Sequence, residues 1–164
     1  MHIIQQATPA DAATIVQLAE QIWWPTYSEI LSPEQIAYML NFIYDEAKIS
    51  EQIATGSQTY LLLIEDNQPV AFAAYSPREE DAAIYKLHKL YCLPQTQGKG
   101  YGKLLIDTVA QQIQQAGPHA LELNVNRYNK ALHFYEKQGF AVVYEENIAI
   151  GPYWMNDYVM RKEL

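Results

Sequence analysis

Cysteine is nearly missing from this chain of 164 residues, where Cys92 stands alone. One thiol cannot close an internal disulfide, and a lone cysteine fits a reducing compartment. Positive charge is scarce too: 11 lysines and arginines face 19 acidic residues, a formal net charge of -8. That balance argues against an electrostatic grip on nucleic acid and suits a small or cationic partner. No apolar run reaches the roughly 18–20 residues that a membrane-spanning helix needs. The opening "MHIIQQATPADA" has neither the basic start nor the apolar core of an export signal. These absences predict a cytoplasmic protein that engages neither membrane nor nucleic acid. No stretch rich in proline, glycine or serine divides the chain, and no repeat appears. With 49% hydrophobic residues to build one core, residues 1–164 read as a single domain.

What is present alternates between strand and helix signals. "HIIQQ" is a short strand, and Thr8, Pro9 and Asp11 then spell a helix start. Ala12, Ile15, Val16, Ala19, Ile22 and Trp23 follow on one helical face. Ser32, Pro33 and Gln35 repeat the device for a helix that buries Ile36, Met39, Leu40 and Ile43, and "EAKISEQIAT" suggests a short one ending at Gly56. "TYLLLIE" and "PVAFAAYS" flank a turn and read as an antiparallel hairpin. A strand from about Ala83 to Leu93 ends at Pro94. Helix, strand, helix and two strands complete a mixed α/β order.

The stretch "LYCLPQTQGKGYGKLL" holds three alternating glycines, Gly98, Gly100 and Gly102, where a strand gives way to a helix. It is not a Walker loop: Leu104 follows Gly102-Lys103 where a serine or threonine belongs, and Gln97 replaces the first glycine. No magnesium-binding arrangement accompanies it, which disfavours a nucleotide hydrolase. Nor is it a dinucleotide fingerprint, because the third glycine counted from Gly98 would fall at Lys103. A compact glycine turn running into a helix start still forms an anion cradle of main-chain N–H groups. Lys99 and Lys103 add local positive charge in an acidic chain.

At these residues the chain resembles the GNAT superfamily of N-acetyltransferases, whose acyl-CoA-binding signature [RQ]-x-x-G-x-[GA] is matched by Gln97, Gly100 and Gly102. A second family segment follows in "NKALHFYEKQGF", through Ala131, Phe134, Tyr135, Gly139 and Phe140. Both segments in order, with a helix and a strand between them, make the likeness specific. The resemblance implies an α/β acetyltransferase fold: a mixed, strongly twisted sheet of about seven strands flanked by about four helices, with its central parallel strands "YKLHKLYCL" and "LELNV" splayed apart. It implies acetyl-CoA as cosubstrate, no metal, and direct attack by an amine without a covalent enzyme intermediate. The pyrophosphate would rest on the amides from Gln97 to Gly102, within a cofactor segment spanning Gln97, Gly98, Lys99, Gly100, Tyr101, Gly102 and Lys103. Main chain at Leu90, Tyr91 and Cys92, after a break in the strand, would meet the thioester. The family often has an asparagine seven residues before the tyrosine, where this chain has Tyr128. Asn126 and Asn129 flank it, and Asn129 is the favoured contact to the pantetheine arm.

The chemistry asks for a neutral amine, a polarised carbonyl and a protonated leaving thiolate. The resemblance assigns Tyr135 to the thiolate. Cys92 has no base partner beside it and reads as core rather than as a nucleophile. His88 has a suitable intrinsic pKa for the base, Glu122 offers a carboxylate acting through water, and bulk water competes with both. His133 faces away from Tyr135. On the acceptor side "IWWPTYSEIL" and "GPYWMNDYVM" are rich in aromatics. Trp24, Tyr27 and Trp154 would wall a pocket, with Glu29 and Asp157 countering an ammonium charge. Core packing and a homodimer interface compete for the same aromatics. The expected acceptor is a small primary amine or polyamine. A peptide N-terminus, or a noncatalytic acyl-CoA-binding module, is the alternative.

Overall fold

The Asp11 carboxylate accepts from the Thr8 N–H at 2.8 Å, and a single 3-10 turn over Pro9–Asp11 then opens helix α1 (Ala12–Tyr27) behind strand β1 (His2–Gln6). The computed structural model describes residues 1–164. Ser32 caps α2 (Pro33–Ile43) by accepting from the Gln35 N–H at 3.2 Å. Asp45 caps α3 (Glu46–Thr55) through the Lys48 N–H at 3.0 Å. Each cap satisfies a donor that the helix itself leaves open. Strands β2 (Thr59–Glu65) and β3 (Gln68–Pro77) form the expected hairpin, turning at Asp66 and Asn67 with φ of 50° and 66°. Then come β4 (Ile84–Cys92), α4 (Tyr101–Ile113), β5 (Ala120–Asn126), α5 (Ala131–Lys137), β6 (Ala141–Ile150) and β7 (Tyr153–Glu163). There are five α-helices, each at a segment read as helical in the sequence, including the short α3, against about four in the expected fold.

The seven strands form one mixed sheet in the order β1-β2-β3-β4-β5-β7-β6. All neighbours are antiparallel except β4 and β5, the parallel pair that the splayed fold requires. Helices α1, α2 and α3 cover one face: Tyr44 packs edge-on to Phe72, and the Tyr60 hydroxyl reaches Gln52 of α3. Helix α4 covers the other face, where the Tyr75 hydroxyl donates to Gln112. One hydrophobic core runs through both layers, from Ile15 and Ile49 to Leu105, Ile106 and Val109. Each such side chain contributes roughly 1.5–3 kcal/mol relative to exposure. No helix is long and apolar enough to cross a membrane.

The feature that positions the site lies in the middle of the sheet. Parallel pairing between β4 and β5 runs from Ile84–Ala120 to Leu87–Leu123 and then stops. At the same level the register of β4 on β3 slips: Tyr75 faces Leu87 while the adjacent Ala74 faces Lys89, so His88 is an extra residue. Such a bulge bends its strand and sharpens its twist. The irregularity sits at His88, two residues earlier than the break expected near Leu90–Tyr91. The alternation of "KLHKLYC" does break here, since Leu87 and Leu90 stand three apart, but the sequence does not say whether His88 or Lys89 is the extra residue.

The β6–β7 hairpin folds back on α2. The Gln35 amide donates to the Trp154 carbonyl at 2.8 Å, and the rings of Tyr38 and Tyr153 lie 5.5 Å apart. Gly151, at φ 58°, turns this hairpin, and a Cβ there would overlap the Tyr38 hydroxyl. Gly151→Ala combines a left-handed backbone with that clash and is expected to cost about 1–3 kcal/mol of unfolding free energy in urea titration.

Candidate functional site

Where β4 and β5 part, a cavity of about 800 Å³ opens between them. Its floor is Leu87, His88 and Leu123–Val125; one end is the loop from Pro94 to Gly102, and α5 and the last turn of α1 form its walls. Pro25 lies within that last turn and removes one helical hydrogen bond, while the Thr26 hydroxyl bonds back to the Ile22 carbonyl at 2.6 Å. The chain then runs over the cavity through Tyr27, Glu29 and Ile30.

The glycine loop presents donors without acceptors. The N–H groups of Gly98, Gly100, Tyr101, Gly102 and Lys103 have no main-chain or side-chain partner, whereas Gln97 N–H is spent on the Pro94 carbonyl and Lys99 N–H on Thr96. Gly98 and Gly100 adopt φ of 87° and 79°, and a Cβ at either would meet no atom within 4 Å. The space beside the loop is therefore open for a ligand, and the loop conformation is one that glycine alone adopts readily. The donor set is thus shifted from the expected Gln97–Gly102 amides to Gly98 and Gly100–Lys103. The two lysines supply less than expected. Lys99 is paired with Glu65 at 2.8 Å, which also accepts from the Tyr101 hydroxyl, and Lys103 is paired with Asp107 at 2.6 Å. Positive potential at this end comes from the main chain and the start of α4.

Three tyrosines meet inside the cavity. Tyr27 and Tyr91 share a hydroxyl–hydroxyl hydrogen bond of 3.0 Å, and Tyr135 of α5 lines the same cavity. Burial dominates all three phenols and raises their pKa values, Tyr27 to about 12, so each stays protonated at neutral pH. Tyr135 sits between Phe134 and Phe140, with ring centroids 5.3 and 5.9 Å away. Cys92 also lines the cavity, and burial pushes its thiol up to about 11, which makes it a poor nucleophile. Asn129 lines it as well and accepts from the Ala131 N–H at 2.9 Å, while Asn126 is buried against Met155 away from it.

The two side chains considered as bases are committed elsewhere. His88 lines the cavity but shares a 2.7 Å hydrogen bond with Ser76. Burial, aided by Lys86, Lys89 and Arg78, pushes its imidazole down to about 3, too weak to take a proton from an ammonium. Glu122 does not reach the cavity. Arg78 holds its Oε1 at 2.6 Å and Arg161 holds its Oε2 at 2.6–2.7 Å, so both carboxylate oxygens are occupied. Neither residue's sequence neighbours announce this, since Arg78 and Arg161 lie 44 and 39 positions from Glu122.

On the acceptor side Tyr27 and Glu29 line the cavity, and Trp24 and Trp154 do not. Trp23 and Tyr27, one helical turn apart, share the inward stripe of α1, which leaves Trp24 38% exposed. Trp154 is 58% exposed on β7. Asp157 is buried one layer behind, near enough for its charge to act on Tyr27. Asn124 was not anticipated. It is the first β5 residue beyond the pairing with β4, and it lines the cavity floor.

Residues 27–163 match the family model described as an acetyltransferase (GNAT) domain. An uncharacterized N-acetyltransferase of Mycobacterium tuberculosis is 28% identical over 155 residues, 94% of this chain and 98% of that relative. The spermidine N(1)-acetyltransferase of Thermoplasma acidophilum is 26% identical over 85% of this chain and 88% of its own length. Among solved structures, the PaiA N-acetyltransferase of Thermoplasma acidophilum in complex with coenzyme A superposes with a TM-score of 0.86 at 25% identity, covering 100% of this chain and 99% of that one.

Independently of these likenesses, the clamp on Glu122 has a measurable consequence. Glu122→Ala leaves two guanidinium groups facing a partly buried gap and is expected to lower unfolding free energy by about 3 kcal/mol in urea titration.

Proposed function

The chain belongs to the GNAT acetyltransferases, and on that premise we propose that it transfers an acetyl group from acetyl-CoA to a small primary amine, by direct attack within a ternary complex. The observation that carries this reading is the unpaired N–H array at the start of α4, which opens into the same cavity as the Tyr135 hydroxyl. The relative of matching fold crystallised with coenzyme A supports the cosubstrate. A spermidine-acetylating relative supports a small amine as acceptor.

In this reading the pyrophosphate rests on the N–H groups of Gly98 and Gly100–Lys103, where the two glycines leave room for it. Pantetheine runs between β4 and β5 past Asn129 and borders the main chain of Leu90, Tyr91 and Cys92. A main-chain N–H at the His88 bulge polarises the thioester carbonyl, as a preorganised donor aimed at developing charge. The amine nitrogen forms its bond to the carbonyl carbon as the carbon–sulfur bond breaks. Tyr135, neutral because it is buried, gives its proton to the departing sulfur. Tyr27 and Glu29 border the opening through which the amine arrives.

Calorimetric titration with coenzyme A and free-thiol release from acetyl-CoA test the two halves separately. Binding, followed by thiol release with spermidine, spermine or a simple alkylamine, is expected; no binding at millimolar coenzyme A sinks the reading. Gly100→Leu, which puts a side chain into the cradle, is expected to weaken coenzyme A binding roughly tenfold or more. Tyr135→Phe keeps the ring and loses the proton. It is expected to lower the chemical rate by roughly 10–1000-fold at saturating substrates while leaving coenzyme A affinity unchanged.

A further inference from the structure

His88 is the extra residue that β4 carries at the fork, and it lines the cavity where β4 and β5 part. Of its two ring nitrogens only Nε2 is engaged, by the Ser76 hydroxyl at 2.7 Å. Nδ1 has no partner. It is not sealed off either, since the unpartnered side-chain atoms shut away from solvent are Oδ1 of Asn124 and Oδ1 of Asp157. One ring nitrogen of a cavity-lining residue is therefore open and unclaimed at the level where the strands separate. Its natural partner is whatever fills the cavity.

Three roles are open to such a nitrogen, and its surroundings choose between them. A base needs a pKa near the working pH, and burial together with Lys86, Lys89 and Arg78 holds this imidazole far below it. A group that steadies an ammonium needs negative neighbours, whereas the charges that bear on His88 all belong to cations. The third role is donation from a neutral ring. A neutral imidazole gives a hydrogen bond without giving up its proton, and nearby cations favour negative charge growing on the acceptor. Arg78 is held by Glu122, but Lys86 precedes His88 by two positions on the same strand and heads the three cations in its effect. Ser76 can fix the tautomer that donation needs. With its hydroxyl donating to Nε2, the ring hydrogen stands on Nδ1.

We propose that His88, a neutral ring oriented by Ser76, donates from Nδ1 to the thioester carbonyl oxygen of bound acetyl-CoA, as a second donor beside the main-chain N–H of the bulge. This rests on the acetyl-transfer reading and gives the histidine a role other than that of a base. An oxygen that takes on charge accepts two hydrogen bonds, and the bulge offers a main-chain and a side-chain donor at one point of β4. No proton leaves the ring. The hydrogen bond strengthens as the amine nitrogen bonds to the carbonyl carbon and charge builds on the oxygen. It relaxes as the carbon–sulfur bond breaks; the sulfur takes its proton from Tyr135, and the proton that the amine loses passes to water. Ser76 is a positioning residue, acting only through the tautomer it sets.

The test uses the full chain, first without turnover. In NMR of the nitrogen-labelled protein bound to coenzyme A, His88 is expected to carry its hydrogen on Nδ1 and to stay neutral between about pH 5 and 9, the range in which an ordinary histidine titrates. A hydrogen on Nε2 with Nδ1 bare, or a ring that titrates in that range, overturns the assignment. With acetyl-CoA labelled at its carbonyl carbon, the bound signal is expected to lie downfield of the free one and to return part of the way in His88→Leu. Turnover is then followed by thiol release with spermidine at saturating acetyl-CoA. His88→Leu is expected to lower kcat by roughly 100-fold, the cost of one preorganised donor, while KM for the amine and coenzyme A affinity hold. His88→Asn sets an amide nitrogen where Nδ1 stood and is expected to recover roughly tenfold of that loss. Ser76→Ala is expected to mix the tautomers and to lower kcat by less than His88→Leu does. Melting temperatures check that each variant folds. A carbonyl signal that His88→Leu leaves unmoved, or a kcat within roughly threefold of wild type, overturns this assignment alone. A wild type that binds coenzyme A but acetylates no primary amine overturns the transfer reading beneath it, while the nitrogen and carbonyl signals still decide this one.

Discussion

The parting of β4 from β5 after Leu87 and Leu123 is the constraint on which the rest of the molecule depends. Up to that level the sheet is continuous. Beyond it β4 still pairs with β3 and β5 still pairs with β7, so each strand keeps one satisfied edge while the facing edges diverge. Two things coincide at the fork. His88 adds a residue to β4 and turns the strand, and tyrosines from three elements fill the gap: Tyr27 of α1, Tyr91 of β4 and Tyr135 of α5.

A chain with eight excess negative charges nonetheless leaves an array of open N–H donors at one end of that cavity. It does so with dipoles rather than side-chain charge. Lys99 and Lys103 are neutralised by Glu65 and Asp107, and the donors left over are main-chain N–H groups at the first turn of α4. Such an array is fixed by the backbone, so it needs no side chain to be ordered when an anion arrives. Beyond that end the cavity is lined by buried, protonated phenols, and Asn124 on its floor reaches back to Asp157 and Glu146, which lie outside it.

Burial sorts the ionisable groups near the fork into separate roles. Lys89, 6% exposed among Tyr44, Tyr60 and Gln58, is pushed down to about 7. His88 is held neutral, and Glu122 is locked between two arginines. The phenols are held protonated and able to donate hydrogen bonds. Asp157 alone combines a carboxyl raised by burial with an oxygen that nothing in the protein occupies. The same low-dielectric surroundings that disable the histidine as a base make the carboxylate a stronger one, because burial penalises the charged form of each.

The sequence by itself determined every helix and strand and the position of the glycine loop, because these depend on neighbours in the chain. Thr8 with Asp11, Ser32 with Gln35, the Asp66–Asn67 turn and the alternating glycines act within a few residues, where spacing is geometry. The inward stripe of α1 was legible in the same way, although the spacing that buries Trp23 and Tyr27 also turns Trp24 outward. Tyr135 was legible only through its family motif, since its helical face alone reads as core. Tertiary structure alone decided the site of the bulge, the disabling of His88 by burial, and the clamp on Glu122 by Arg78 and Arg161. It alone set Asn124 and Asp157 side by side with unpartnered oxygens. The physical reason is the same in each case: strand register, desolvation and ion pairing are set by residues distant along the chain, which meet only when the sheet has formed.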